Sequence, residues 1–308
     1  MLWSSSGLFV KAPLFDWPAE ERGAVLAFWR ALFASLILAT MVRRPRWHWR
    51  MLPMAACFVL MNYTFLTAMA RAEASVVIWL QHLAPAWVAI GGAMFFGESL
   101  RREDLLLVVL AVCGVSVILA DQLRGEDPIA IILGIVSGIT YAGVVLSLRF
   151  LRNEDPAWLA TFNHVVTAVV FLPAALTASS MPHGRQWFIL AAFGAFQMGI
   201  PYVLFSLGLR RITGNQAAGL ALLEPLLVPI WVFLALHGSA DYESPRWSTY
   251  VGAGFILTGL LLRFVVLKPR DPPMPEPELA PPDESPLAST VPAASAAGAT
   301  APSADGPG

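Results

Sequence analysis

The chain has 308 residues, of which 57% are hydrophobic and 13% are charged, and its mean hydropathy is +0.64. Soluble domains carry about 25% charged residues, so this composition excludes an ordinary soluble protein. The net charge of −1, without a basic stripe, gives no reason to expect a nucleic-acid partner.

We predict an all-α integral membrane protein with ten transmembrane helices. Short charged clusters separate apolar runs of roughly 17–24 residues, the length that crosses about 30 Å of hydrocarbon. Only helices and closed barrels satisfy the backbone in lipid, and these runs are too long for barrel strands. The predicted spans are 1–12, 23–42, 51–70, 75–96, 104–120, 129–148, 157–177, 186–209, 215–236 and 247–267.

The fourth and ninth spans contain related sequences built around a proline. The first reads WLQHLAPAWV around Pro85 and the second GLALLEPLLV around Pro225, an offset of 140 residues that also relates Phe65 to Phe205. An insertion shifts the offset to 145 before Glu243. The chain therefore divides into two repeats of five spans, 1–122 and 123–267. Because five is odd, the second repeat enters the membrane from the opposite side and is inverted.

The loops alternate in charge, which predicts the orientation. One set holds thirteen basic residues: Arg43, Arg44, Arg46, Arg50, Arg101, Arg102, Arg149, Arg152, Arg210, Arg211, Arg263, Lys268 and Arg270. The other set holds five: Arg22, Arg71, Arg124, Arg185 and Arg246. The positive-inside rule then predicts that both termini lie in the cytoplasm. We expect the protein to lie in the cytoplasmic (inner) membrane.

Both ends of the chain differ from a complete repeat. The first span is too short to cross without thinning the bilayer, and its repeat counterpart would begin roughly ten residues before Met1. We expect an in-frame apolar stretch upstream; a late start codon and a real truncation both remain open. Residues 268–308 hold 11 of the 24 prolines among Ala, Ser, Glu and Asp. Such a segment cannot bury enough apolar surface to fold, which predicts a disordered Pro/Ala-rich cytoplasmic tail.

Several short motifs occur in an order that resembles the EamA-type members of the drug/metabolite transporter superfamily. They are Phe28-Trp-Arg30-Ala in span two, Ala84-Pro85, Gly97-Glu98-Ser-Leu, Glu224-Pro225, and Gly252-Ala-Gly254 with Gly259 in span ten. The resemblance covers residues 3–267. It implies a secondary transporter, and an exporter of amino acids, metabolites or drugs.

Glu224 is the sharpest candidate for a transport residue. A carboxyl group near the middle of a span costs about 2.5–3.5 kcal/mol to insert, so it faces a cavity or a partner. The Glu224 carboxyl group could carry a coupling proton or bind an ammonium group. Alternatively, it could hydrogen-bond the backbone group that Pro225 leaves without a helical partner. Pro85 and Pro225 each remove a helix hydrogen bond, which predicts either a broken helix at the substrate site or a simple kink.

Other polar and aromatic residues lie at depths where they could line a cavity. The polar candidates are Arg30, Asn62, Gln81, His82, Asn163 and His164, with interhelical hydrogen bonding as the alternative role. Arg30 could balance Glu224, bind a substrate carboxylate or extend to the interface. The remaining candidates are Trp3, Tyr63, Trp79, Tyr141, Phe162, Gln197 and Tyr202. An aromatic, weakly polar cavity of this kind would suit a zwitterionic or amphiphilic organic molecule.

The sequence shows no catalytic grouping, cofactor motif or metal-ligand spacing. The expected partners are a small-molecule substrate, membrane lipid and protons as a coupling ion, and a homodimer is left open. Two other function classes remain as alternatives. One is a membrane-embedded enzyme acting on lipid-like substrates, and the other is a membrane scaffold or sensor that uses the tail.

Overall fold

The computed structural model of the protein describes residues 2–11, 15, 17–97, 102–122, 127–151, 153–202, 204, 223–238 and 244–267. Every regular element within these residues is helical. A 3₁₀ turn at Trp3–Ser5 leads into α1. The helices are α1 Ser6–Val10, α2 Ala19–Ala39, α3 Met51–Arg71, α4 Ala74–Gln81, α5 Ala84–Phe96, α6 Arg102–Gln122, α7 Pro128–Phe150, α8 Pro156–Leu176, α9 Gln186–Gly194, α10 Leu223–Leu236 and α11 Trp247–Leu261. The predicted tail, 268–308, lies outside the described residues.

Among the described residues, six helical segments are long and apolar enough to cross a membrane. They are Ala19–Ala39, Met51–Arg71, Ala74–Phe95, Pro128–Leu148, Pro156–Leu176 and Trp247–Val266. This establishes a multi-pass helical membrane protein. The described helices α1, α9 and α10 fall within three of the other predicted spans, and α6 covers the fourth and extends two residues beyond it at each end. The count of ten crossings stays a prediction.

Two of the long helices begin with the same aspartate–proline signal. Asp127 accepts the Ile129 backbone N–H at 2.9 Å, and Asp155 accepts that of Ala157 at 3.0 Å. In each case the next residue is a proline, whose missing N–H costs nothing in the first turn of a helix. These caps fix the starts of α7 and α8 one residue before the predicted span boundaries.

The fourth predicted span is interrupted two residues before its proline. Helix α4 ends at Gln81 and α5 begins at Ala84, with Pro85 in the first turn of α5. Because Pro85 has no N–H, the Gln81 carbonyl loses its usual helical donor. The backbone of α7 comes close to this break: a Cβ on Gly138 would lie 2.8 Å from the Leu80 carbonyl oxygen and 3.3 Å from that of Gln81.

The corresponding position in the second half is only partly described. Pro225 lies in the first described turn of α10, and residues 205–222 before it lie outside the described residues. The predicted break at Pro225 therefore stays a prediction.

Residues 1–268 form one compact unit, whose most extensive helix pairs include α2 with α8 and α6 with α11. These are the pairs that the repeat offset relates. The α2–α8 pair is antiparallel, because Trp17 Nε1 donates to the Ser180 carbonyl at 2.8 Å near one end. At the other end, the Arg43 backbone N–H donates to Asp155 at 2.8 Å.

Helices α6 and α11 also run antiparallel, in close backbone contact. A Cβ on Gly114 would lie 2.5 Å from the Gly252 carbonyl oxygen, and the reverse substitution meets the Gly114 carbonyl at the same distance. Further along, a Cβ on Gly259 would lie 3.5 Å from the Leu107 Cα. Small residues allow this approach, as is common between membrane helices.

Candidate functional site

The candidate site is a cavity between α1, α2, α3, α7, α10, the α4–α5 break and the segment after α9. The cavity has a volume of about 80 Å³. Its lining residues are Trp3, Ser6, Arg30, Met61, Asn62, Phe65, Gln81, His82, Tyr141, Gln197, Met198, Tyr202 and Glu224. The cavity thus brings together most of the polar residues that the sequence singled out.

Arg30 supplies the cation of this cavity. It is only 3% exposed, and its Nη2 donates to Asn62 Oδ1. Asn62 is held in place because its Nδ2 donates to the Phe58 carbonyl at 2.9 Å. The guanidinium carbon lies 5.1 Å from the centre of the Phe193 ring, a cation–π contact. Within the described chain, Arg30 forms no ion pair with a carboxylate, so its guanidinium has a neutral partner in Asn62 but no anionic one.

Glu224 supplies the anion of the cavity. It lies in the first described turn of α10 and lines the cavity together with Tyr141 and Tyr202. In the described part of the chain, its carboxylate pairs with neither Arg30 nor another cation. The cavity therefore holds one group of each charge without joining them in an ion pair.

Gln81 and His82 both line the cavity, although neighbouring residues on an intact helix point about 100° apart. The helix break accounts for this, because His82 follows the last residue of α4 and lies outside helical geometry. The His82 Nδ1 atom is 2.9 Å from the Ile78 carbonyl oxygen. A proton on Nδ1 satisfies this contact and leaves Nε2 as an acceptor.

The segments after α9 and before α1 form an aromatic and amide wall. Trp3 packs edge-on against Tyr202 with ring centres 5.4 Å apart, and Gln197 Nε2 donates to the Trp3 carbonyl at 3.0 Å. Ser6 Oγ and Gln197 Oε1 are buried and have no hydrogen-bond partner among the described residues. Since buried polar atoms are nearly always satisfied, these two are available to a bound solute or water.

Three of the binding-site candidates from the sequence lie outside the cavity. Trp79 is buried in the main apolar core, because it is two residues, or about 200°, away from Gln81 on α4. Asn163 and His164 are buried in α8. The His164 ring lies 4.9 Å from that of Phe58 and 5.9 Å from that of Tyr202, so it packs behind a cavity residue.

Two aromatic candidates pack elsewhere. Tyr63 stacks on Phe171 with ring centres 5.5 Å apart. Phe162 packs against Trp47 and Trp158, at 5.5 and 5.9 Å. Depth in the membrane was therefore an incomplete guide, because the rotation of each helix decides which residues at a given depth reach the cavity.

The sequence analysis missed four lining residues: Ser6, Met61, Phe65 and Met198. Met61 and Phe65 were within reach of prediction, since they lie one turn apart on the face of α3 that carries Asn62. Met198 lies in the π-helical turn Ala195–Gly199 together with Gln197, but as an apolar residue in an apolar segment it carries no signal that separates cavity lining from packing.

The chain matches the model of the EamA-like transporter family twice, over residues 1–120 and 128–265. It is 27% identical over 201 residues to an uncharacterised transporter of Archaeoglobus fulgidus, covering 65% of this chain and 70% of that protein. It is 25% identical over 252 residues to the uncharacterised transporter YxxF of Bacillus subtilis, covering 76% and 80% respectively.

A further relative is the pseudopaline exporter CntI of Pseudomonas aeruginosa, 23% identical over 211 residues, which cover 68% of this chain and 69% of the exporter. A solved structure titled only as the crystal structure of a protein shares the fold, with a TM-score of 0.61 and 16% identity over 86% of this chain and 93% of its own. Because two family matches together cover most of the chain, the resemblance seen in the sequence is confirmed: the protein belongs to the EamA-like transporter family.

Proposed function

We propose that this protein is a secondary transporter that exports small organic solutes, with zwitterions as the favoured substrates, by alternating access. The observation that carries the proposal is that Arg30 and Glu224 line one cavity without pairing. A solute with an anionic and a cationic group would satisfy both. The aromatic wall of Trp3, Tyr141 and Tyr202 would cover its apolar part. The relatives are named as transporters, so neither the membrane-enzyme nor the scaffold alternative is put forward.

The architecture that we propose for this activity has ten membrane helices in two inverted repeats, with both termini in the cytoplasm. The antiparallel contacts of α2 with α8 and of α6 with α11 support it, since an inverted repeat places each helix antiparallel to its counterpart. A reporter that is active only outside the cytoplasm tests the orientation. It should be silent when fused after Leu267 and active when fused near Gly184, and the reverse pattern would contradict the proposal.

Alternating access requires contacts at both ends of the bundle to open in turn. At one end, the Arg71 Nε atom of α3 lies 2.5 Å from Asp127 Oδ2 at the start of α7. At the other end, Arg263 Nε lies 2.5 Å from Asp104 Oδ1, joining the segment after α11 to α6. Both ion pairs are partly exposed, so water can replace the partners at a small cost of about 0–1 kcal/mol each. We expect each ion pair to break and re-form as its end of the bundle opens and closes during the transport cycle.

The first experiment identifies a substrate and then tests Glu224. Metabolites in the medium of cells with and without the protein would give the exported compound, which is then assayed in vesicles. If Glu224 carries the coupling proton or binds a substrate amine, Glu224→Gln keeps the shape of the side chain but loses coupling or affinity. Transport by wild type and Glu224→Gln should therefore differ in rate and in dependence on pH between about 5 and 8.

The control is Glu20→Gln, because Glu20 is an exposed acid in the first turn of α2, away from the cavity. It should transport as wild type does. An unchanged rate and an unchanged pH profile in Glu224→Gln, at equal protein level, would assign Glu224 a structural role. The residues that bind the solute would then have to be sought around His82, Asn163 and Arg30.

A further inference from the structure

The connection between α2 and α3 concentrates charge and aromatic surface. Both helices are long enough to cross a membrane, so this connection lies where the bilayer meets water. Trp47 is 62% exposed and Trp49 is 65% exposed, which is unusual for the largest apolar side chains. We call this group of six residues the basic loop; it consists of Arg43, Arg44, Arg46, Trp47, Trp49 and Arg50.

The backbone of the basic loop is fixed by the start of α8. Asp155 Oδ2 accepts the backbone N–H groups of Arg43 at 2.8 Å and Arg44 at 3.1 Å. Trp158 Nε1 donates to the Arg46 carbonyl at 2.7 Å. Partial burial alone would raise the pKa of Asp155, but the backbone N–H groups bonded to it outweigh this and lower it. The anchor is therefore ionised at neutral pH, and it uses main-chain rather than guanidinium groups.

The four guanidinium groups are left for a partner outside the described chain. Within the described residues, no carboxylate forms an ion pair with any of them. Arg50 stacks over the rings of Trp49 and Phe150, at 5.8 and 5.5 Å. Trp47 meets Phe162 edge-on at 5.5 Å, which orients its indole while leaving most of it uncovered. The loop thus presents four arginines on an anchored backbone beside two exposed indoles.

We propose that the basic loop is a binding site for the phosphate headgroups of anionic phospholipids. Guanidinium groups bind phosphate oxygens in bidentate fashion, and basic clusters next to a membrane helix attract anionic lipid. Exposed tryptophans prefer the headgroup level of a bilayer, where the ring meets acyl chains and the N–H meets water. A soluble anion would explain the arginines alone, whereas a lipid accounts for both. The proposal does not depend on the transported substrate or on its direction.

The test follows the thermal unfolding midpoint of the full chain, purified in an uncharged detergent, as lipid is added. Dioleoyl phosphatidylglycerol is compared with dioleoyl phosphatidylcholine, which has the same chains but no net charge, and with soluble glycerol phosphate. We expect only phosphatidylglycerol to raise the midpoint of the wild type, because a ligand of the folded state stabilises it. The apparent affinity should fall at least about tenfold when Arg43, Arg44, Arg46 and Arg50 are all changed to Gln.

Two variants that each remove one arginine supply the matched control. Arg46→Gln should weaken the response to phosphatidylglycerol, while Arg185→Gln, at the exposed start of α9, should leave it unchanged. Equal responses of these two variants, or an equal response of the wild type to both lipids, would overturn the proposal. A response to glycerol phosphate as large as that to phosphatidylglycerol would also overturn it, by assigning the loop to soluble anions.

The salt dependence of the wild type tests the proposal if the fourfold variant does not fold. Phosphate binding by exposed arginines should weaken between about 0.05 M and about 0.5 M NaCl, because screening shortens the range of the attraction. A midpoint shift that does not change with salt would contradict a site built on these charges.

Discussion

Gly138→Ala tests how closely the backbone of α7 holds the α4–α5 break. The added methyl would lie 2.8 Å from the Leu80 carbonyl oxygen and 3.3 Å from that of Gln81, so backbone rather than a side chain must move. Such overpacking costs about 1–3 kcal/mol. Replacing glycine by alanine inside a helix returns about 1 kcal/mol, so the net loss of stability is between about 0 and about 2 kcal/mol.

Gly254→Ala is the control for the gain in helix propensity that any glycine-to-alanine change inside a helix brings. A Cβ at Gly254 meets nothing within 4 Å, so this helical variant gains the same propensity without overpacking. The difference in unfolding free energy between the two variants should therefore be about 1–3 kcal/mol. Gly134→Ala should fall between them, because its Cβ meets the flexible end of the Leu80 side chain at 2.7 Å.

The assay is unfolding of the detergent-solubilised variants, followed by transport in vesicles. Because displacement of the break moves Gln81 and His82, Gly138→Ala should also transport less efficiently than the other two variants. A Gly138→Ala protein as stable as Gly254→Ala, with wild-type transport, would refute the reasoning about the break.

Two further predictions concern Asp127 and Asn62. The hydrogen bond from Arg71 to Asp127 lowers the pKa of that carboxyl, so its contribution to stability is present above the unfolded-state pKa and is lost as pH falls through the lower folded value. The free energy of unfolding of the wild type should therefore exceed that of Asp127→Asn by under about 1 kcal/mol at neutral pH, and this difference should disappear below about pH 4. A difference that grows as the pH falls would contradict a stabilising Arg71–Asp127 ion pair. Asn62→Asp loses the N–H that Asn62 donates to the Phe58 carbonyl, but its carboxylate still accepts from Arg30, so the variant should remain folded with some loss of stability. At equal protein level it should transport an anionic or zwitterionic solute at least about tenfold less efficiently, since Arg30 is then neutralised locally. Unchanged transport would remove Arg30 from substrate binding.

The sequence predicted the helices well because each signal for them is local. Apolar run length located the long spans, and Asp127-Pro and Asp155-Pro fix the starts of α7 and α8 through their own side chains. Pro85 left a broken helix and a simple kink open, and the structure has α4 ending at Gln81 and α5 beginning at Ala84. The π-helical turn at Ala195–Gly199 has no comparable local signal, since it depends on how that segment packs.

The site was harder to predict because it depends on helix rotation and on contacts between distant residues. Span depth selected Trp79 as readily as Gln81, but only Gln81 faces the cavity. The hydrogen-bond partner of Arg30 could not be predicted from the sequence either. Charge alone suggested Glu224, whereas the structure places Asn62 of the neighbouring helix beside the guanidinium.

The repeat explains the scaffold, yet the charges of the cavity do not repeat. The offset of 140 residues places Ala84 opposite Glu224, and α8, the counterpart of α2, contains no lysine or arginine to match Arg30. A duplicated pair would place two cations and two anions in the membrane interior, where each charge is costly. One charge from each half keeps the cavity neutral when both groups are ionised. Under the proposed function, it also holds a zwitterion in one orientation, with its anionic end towards α2 and its cationic end towards α10. Movement of the halves about this pair would then expose the same bound solute to each side in turn.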